Sequence, residues 1–132
     1  LLRQAKTAGR IIAGTLDQGI VLEAQLAASG DIEAEREPQI RQWLKDAKAT
    51  IDAFNQRAQA YEHFDAKSKA DIARVAQDSV AFVQKLNEEG VLRIKNPKSR
   101  ALATGIIAGA QVGVTIFKSI ADAQAEEPAP AS

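Results

Sequence analysis

The stretch 101-ALATGIIAGAQVGVTIF-117 runs for 17 residues without a charge, and Ala101, Gly105, Gly109 and Gly113 recur in it at every fourth position. Four-residue spacing puts them on one side of a helix. A glycine inside a helix costs about 1 kcal/mol relative to alanine, so three of them require a compensating gain. Close approach of another backbone is the gain that a missing side chain permits. These four residues are the expected helix-contact site.

Around the stripe, Leu102, Ile106, Gly109, Gly113, Ile116 and Ile120 form one apolar seam, and Ala103, Ile107, Ala110, Val114, Phe117 and Ala121 form its neighbour. Only Thr104, Gln111, Thr115, Lys118 and Asp122 are left for water. Such a helix is expected to be buried on most sides. It is predicted to start after Asn96 and Pro97, capped by Asn96 or Ser99, and to continue to about Ala125.

Three further helices precede it. Ile40, Leu44, Ala47, Ile51, Phe54, Ala58 and Tyr61 are spaced by alternating fours and threes, a seven-residue repeat that marks a packed helix. Pro38 suits its first turn, where the missing N–H is not needed. Asp65 is placed to cap the next helix, whose seam is Ile72, Val75, Ser79, Phe82 and Leu86 and whose stop is Gly90. The first helix carries a small-residue seam, Leu1, Ala5, Ala8, Ile12, Thr15, Gly19, Leu22 and Leu26, and ends at Ser29 and Gly30. The segment from Gly9 to Gly14 echoes that from Thr104 to Gly109, so the first and last helices are candidates to pack on each other or to resemble each other by chance. The fold expected is all-α, with four main helices in an antiparallel bundle or in extended hairpins: one helical domain over 1–125, then a Pro/Ala-rich tail over 126–132 whose composition predicts disorder.

Seventeen basic residues balance seventeen acidic ones. That removes the global electrostatic argument for nucleic acid, and no nucleic-acid partner is expected. With no cysteine there is no disulfide, thiolate nucleophile or zinc–thiolate site. His63 alone, at a helix junction, cannot make a multi-histidine metal site. The glycines lie inside periodic helices rather than in loops ahead of them, so a phosphate cradle is not expected either. Carboxylate groups such as Asp46 with Asp52, or Glu33 with Glu35 and Glu37, fall on polar faces or links and are expected to be solvated. The reading is non-enzymatic, with no cofactor. The first ten residues carry Arg3, Lys6 and Arg10 and Asp17 breaks the apolar run behind them, so the opening is not expected to act as a signal peptide. Leu1 is compatible with a native, a processed or a truncated start.

Two surface features remain. Trp43 flanks the second-helix seam and is a candidate interface anchor. Arg93, Lys95, Lys98 and Arg100 surround Pro97 in an expected extended connector over 91–100, where they could contact anions or lipid headgroups or simply be solvated. The function expected is that of a helical assembly subunit, self-associating or held by protein partners in a homo-oligomer or a larger virion-like or secretion-like particle. The alternative is a membrane-active protein, pore-forming or peripheral, that inserts 101–117. That stretch only reaches the lower end of the span of about 17–25 residues needed to cross a bilayer.

Overall fold

A computed structural model describes residues 1–126 of the chain, and the predicted tail from residue 127 onward lies outside them. The chain forms four long helices, α1 (Leu2–Ser29), α2 (Glu37–Gln59), α3 (Ala66–Glu89) and α4 (Pro97–Glu126), with one 3-10 turn at Val91–Arg93. Their ends follow from local chemistry. Gly30 closes α1 at φ 79°, a left-handed geometry that glycine adopts without strain. Pro38 sits in the first turn of α2. Asp65 accepts from the Ser68 N–H at 3.0 Å while Ser68 Oγ accepts from the Asp65 N–H at 2.9 Å, a capping box that starts α3. The Asn96 side chain accepts from the Lys98 N–H at 2.9 Å and so caps α4.

Each helix runs antiparallel to the next. Arg36 at the N-cap of α2 and Trp43 and Arg57 along it meet Glu89, Lys85 and Asp71 along α3 in reverse order. In α1, Gly9 lies against Phe54 and Asn55, Asp17 pairs with Lys48 at 3.3 Å, and Gly19 touches Leu44. The pair α1 and α4 closes the ring, with Ile12 at Gly113, Thr15 at Gly109 and Gly19 near Ile106. The result is a four-helix bundle in which sequence neighbours are spatial neighbours. Its core is one continuous apolar cluster to which every helix contributes.

The heptad seams bury as their spacing predicts except at Phe82, which is half-buried while Val83 beside it is buried, and at Tyr61, which is half-buried beyond the end of α2. Ile40, Leu44, Ala47, Ile51, Phe54 and Ala58 of α2 are buried, as are Ile72, Val75, Ser79 and Leu86 of α3. Two expectations need correction. First, α4 is not buried on most sides: Ala103, Ala110, Val114, Phe117 and Ile120 face inward, but Leu102 is 61% exposed and Val112 55%. Second, the segment 91–100 is not an extended connector. Val91 and Ile94 are buried, and Lys98 and Arg100 already belong to the first turn of α4.

Candidate functional site

The glycine stripe does not act as one surface. A Cβ on Gly113 would lie 2.5 Å from Ile12 Cγ1 and 2.9 Å from the Ala8 carbonyl oxygen, so its bare backbone lets α1 and α4 touch. At Gly109 a Cβ would lie 2.9 Å from the Thr15 methyl carbon. At Gly105 it would meet nothing within 4 Å, and Ala101 is exposed as well. Inside the bundle Gly109 and Gly113 therefore lie at the α1–α4 contact, whereas Ala101 and Gly105 lie away from it. The reason is rotation: at about 100° per residue, four residues overshoot a turn by about 40°, and three such steps carry the stripe from the core to the outside.

The four cations also separate. Arg100 turns back on its own segment, donating from Nε and Nη2 to the Ile94 carbonyl at 3.0 and 2.8 Å. Arg93 reaches Glu89 at 3.8 Å, while Lys95 and Lys98 are exposed. No common anion cradle results. Trp43 is half-buried between α2 and α3, with Lys85 Nζ 4.8 Å above its ring, beside a shallow cleft shared with Asp46, Asp78 and Phe82. Its contacts are those of a core-edge residue. Among the described residues no three His, Asp or Glu side chains converge as metal ligands.

Two buried carboxylates escape the heptad reading. Asp71, 6% exposed, accepts from Arg57 Nε and Nη2 at 2.9 and 2.8 Å and from the Tyr61 hydroxyl at 2.7 Å, tying the end of α2 to the start of α3. Burial would raise its pKa, but these hydrogen bonds and the charges of Arg57 and Arg74 outweigh burial and hold it below the ordinary value. This cluster is satisfied and structural.

Glu23 is different. It is 6% exposed, and its Oε1 has no hydrogen-bond partner. It lines a cavity of about 70 Å³ at the end of the bundle where α1 and α3 finish and α2 and α4 begin. The rest of the lining is apolar apart from Thr15, with Leu16, Leu26, Ile40, Leu86, Ile94 and Ile107 among it. Burial, then a hydrogen bond with Glu37 and repulsion from its charge, push the Glu23 carboxyl up to about 7, against a partial offset from Arg41 and Lys45. Glu37 is thus not the solvated carboxylate its sequence suggests; its side chain is 18% exposed and ion-paired to Arg41 at 3.3 Å. The signal for Glu23 was its spacing, seven residues after Leu16 and three before Leu26.

A carboxyl whose pKa is higher folded than unfolded contributes stability that is complete below about 4.5 and is lost as pH rises through about 7. The bundle is expected to lose about 3 kcal/mol over that interval, where Asp71, titrating lower, stays ionised. Glu23→Gln keeps the volume and removes the charge, so it should flatten the profile and stabilise the protein at pH 8 by about 2–3 kcal/mol. Urea unfolding of both proteins at pH 5 and pH 8 measures this, and equal losses in both would assign the titration to another group. Comparison with known proteins finds no protein family, no curated relative and no solved structure that matches this chain.

Proposed function

We propose that the protein is a non-enzymatic assembly subunit that self-associates through the outward face of α4. The observation that carries this is an unpartnered, uncharged helix face. Ala101, Leu102, Thr104, Gly105, Ala108, Gln111, Val112 and Thr115 are all exposed, and only 28% of the most apolar window of α4 is buried in the single chain. One helical step around α1 from the residues that touch α4, exposed Gln18 and half-buried Ile11 and Leu22 extend the uncharged surface. Apolar faces of this kind on a folded chain mark interaction sites.

The face suits a second copy of itself. In an antiparallel pair of α4 helices related by a two-fold axis between Ala108 and Gly109, Val112 of each copy falls opposite Gly105 of the other. Large side chain meets notch twice, as an isologous contact requires, and no like charges are brought together. Sedimentation velocity at micromolar to hundreds-of-micromolar concentration should show a dimer or higher oligomer. Val112→Lys, at a position already exposed, should convert it to a monomer with unchanged helicity. A wild-type monomer over the whole range would defeat the reading.

The membrane alternative has one observation in its favour: the helix segment Pro97–Ala123 is long and apolar enough to cross a bilayer. Against it, insertion would have to withdraw Val114, Phe117 and Ile120, all 2% exposed or less, from the core. Flotation with phospholipid vesicles distinguishes the two, because an aqueous oligomer stays in the lower fraction.

A further inference from the structure

Besides the seam that packs inside the bundle, α1 carries a second row without charge. From Gln4 to Ala28 its positions alternate by three and four residues, include no ionisable side chain, and are exposed except for half-buried Ile11. Thr7, Ile11, Gly14 and Gln18 in this row stand one residue before Ala8, Ile12, Thr15 and Gly19, which touch α4. On α4, exposed Gly105, Ala108 and Val112 likewise stand one residue before Ile106, Gly109 and Gly113, which touch α1. One residue back is about 100° around a helix, and on two antiparallel helices the same step from the line of contact arrives on the same side of the pair. The two rows therefore form one face of the bundle. The charged row beside it on α1, with Arg10 and Asp17, lies toward α2, where Asp17 pairs with Lys48 at 3.3 Å.

Area makes one row too small for a stable pair. With a helix face about 10 Å wide, α4 from Ala101 to Ser119 offers about 270 Å² and α1 from Gln4 to Ala28 about 360 Å². Specific dimers begin at about 600 Å² per partner, which only the two rows together reach. We propose, on the basis of the α4 self-association described above, that the α1 row is the other half of that interface and lies antiparallel on the α1 row of a second copy.

The register follows from the bundle itself. Thr15 lies level with Gly109 and Gly19 with Ile106, so a two-fold axis between Ala108 and Gly109 crosses α1 near Leu16. Positions equidistant from that axis face each other: Ile11 meets Val21 of the second copy, Gly14 meets Gln18, Thr7 meets Gln25 and Gln4 meets Ala28. Each glutamine faces a small residue, and the two branched apolar side chains face one another. Moving the axis by half a heptad in either direction loses the match, because Val21 then faces Gln4 or Gln18. No charge is buried in the chosen register, since neither row carries one.

The chain has no cysteine, so introduced thiols report the register directly. Full-length Ile11→Cys chains mixed with Val21→Cys chains should form a disulfide-linked heterodimer on oxidation with diamide. Neither variant should cross-link alone, because two copies of either position stand about 15 Å apart across the axis and a disulfide needs Cα atoms within about 7 Å. Val21→Lys, at a position already 58% exposed, should weaken the dimer at least tenfold in sedimentation velocity with helicity unchanged. If the wild type dimerises and Val112→Lys separates it, while Val21→Lys does not and the mixed cross-link is missing, the α1 half is overturned and the α4 contact stands. Cross-linking within either variant alone would overturn the antiparallel register, and a monomeric wild type would remove both halves together.

Discussion

Phe54→Ala is expected to destabilise the bundle by about 3–5 kcal/mol. Phe54 is fully buried on α2, and its ring meets that of Phe117 on α4 edge to face, with centroids 5.2 Å apart and planes at 84°. These helices stand diagonally across the bundle, so the ring pair fills its centre. Phe54 also packs on the bare backbone of Gly9, where a Cβ would come within 3.2 Å of Phe54 Cδ1. Truncation therefore opens a void bordered by three helices, none of which can collapse into it without losing contact with its neighbours. Against a total stability of about 5–15 kcal/mol for a domain of ordinary size, the loss should appear as a large fall in the urea midpoint. A cycle with Phe117→Leu should recover about 0.5–1.5 kcal/mol of ring–ring coupling. An unchanged midpoint for Phe54→Ala would mean that the centre of the bundle is packed differently.

The helices and most of the core were legible in the sequence because periodicity and capping are local signals. Ile40 to Ala58 repeat in sevens and bury as a stripe; Asp65, Gly30 and Pro38 mark ends by hydrogen-bond and φ chemistry that involves only a few residues. The candidate site was less legible, for two physical reasons. Charge ordinarily signals exposure, which hides Glu23 and Asp71 although their spacing from Leu26 and Val75 puts them on inward stripes. Asp71 is buried because Arg57 comes to it from the end of α2 and Tyr61 from the link that follows, and that pairing has no trace in local spacing. The charges of the run 93–100 point to a solvated connector, whereas the buried Val91 and Ile94 fix its path. The glycine stripe looks straight in the sequence, but a four-residue repeat winds around a helix of 3.6 residues per turn.

That winding leads to an opposite outcome for one substitution at two glycines of the same helix. At Gly113 an added methyl must displace the Ala8 carbonyl, which is backbone of α1 and cannot rotate away, so Gly113→Ala is expected to cost about 1–3 kcal/mol despite its better helix propensity. Gly113→Leu should prevent native packing of α1 on α4 altogether. At Gly109 the obstacle is the Thr15 methyl, held while its hydroxyl donates to the Ile12 carbonyl at 2.9 Å; a rotamer change relieves it, and Gly109→Ala should lie near neutral. At Gly105 nothing obstructs the methyl, so Gly105→Ala should stabilise the monomer by about 0.5–1 kcal/mol. In the association proposed above Gly105 is the notch opposite Val112, so the same substitution fills it and should weaken that association. Urea unfolding at low concentration and sedimentation velocity at high concentration read the two effects separately. If Gly105→Ala stabilises the monomer and leaves association unchanged, the outward face of α4 is not the contact, whereas a stabilising Gly113→Ala would mean that α1 and α4 do not touch at that point.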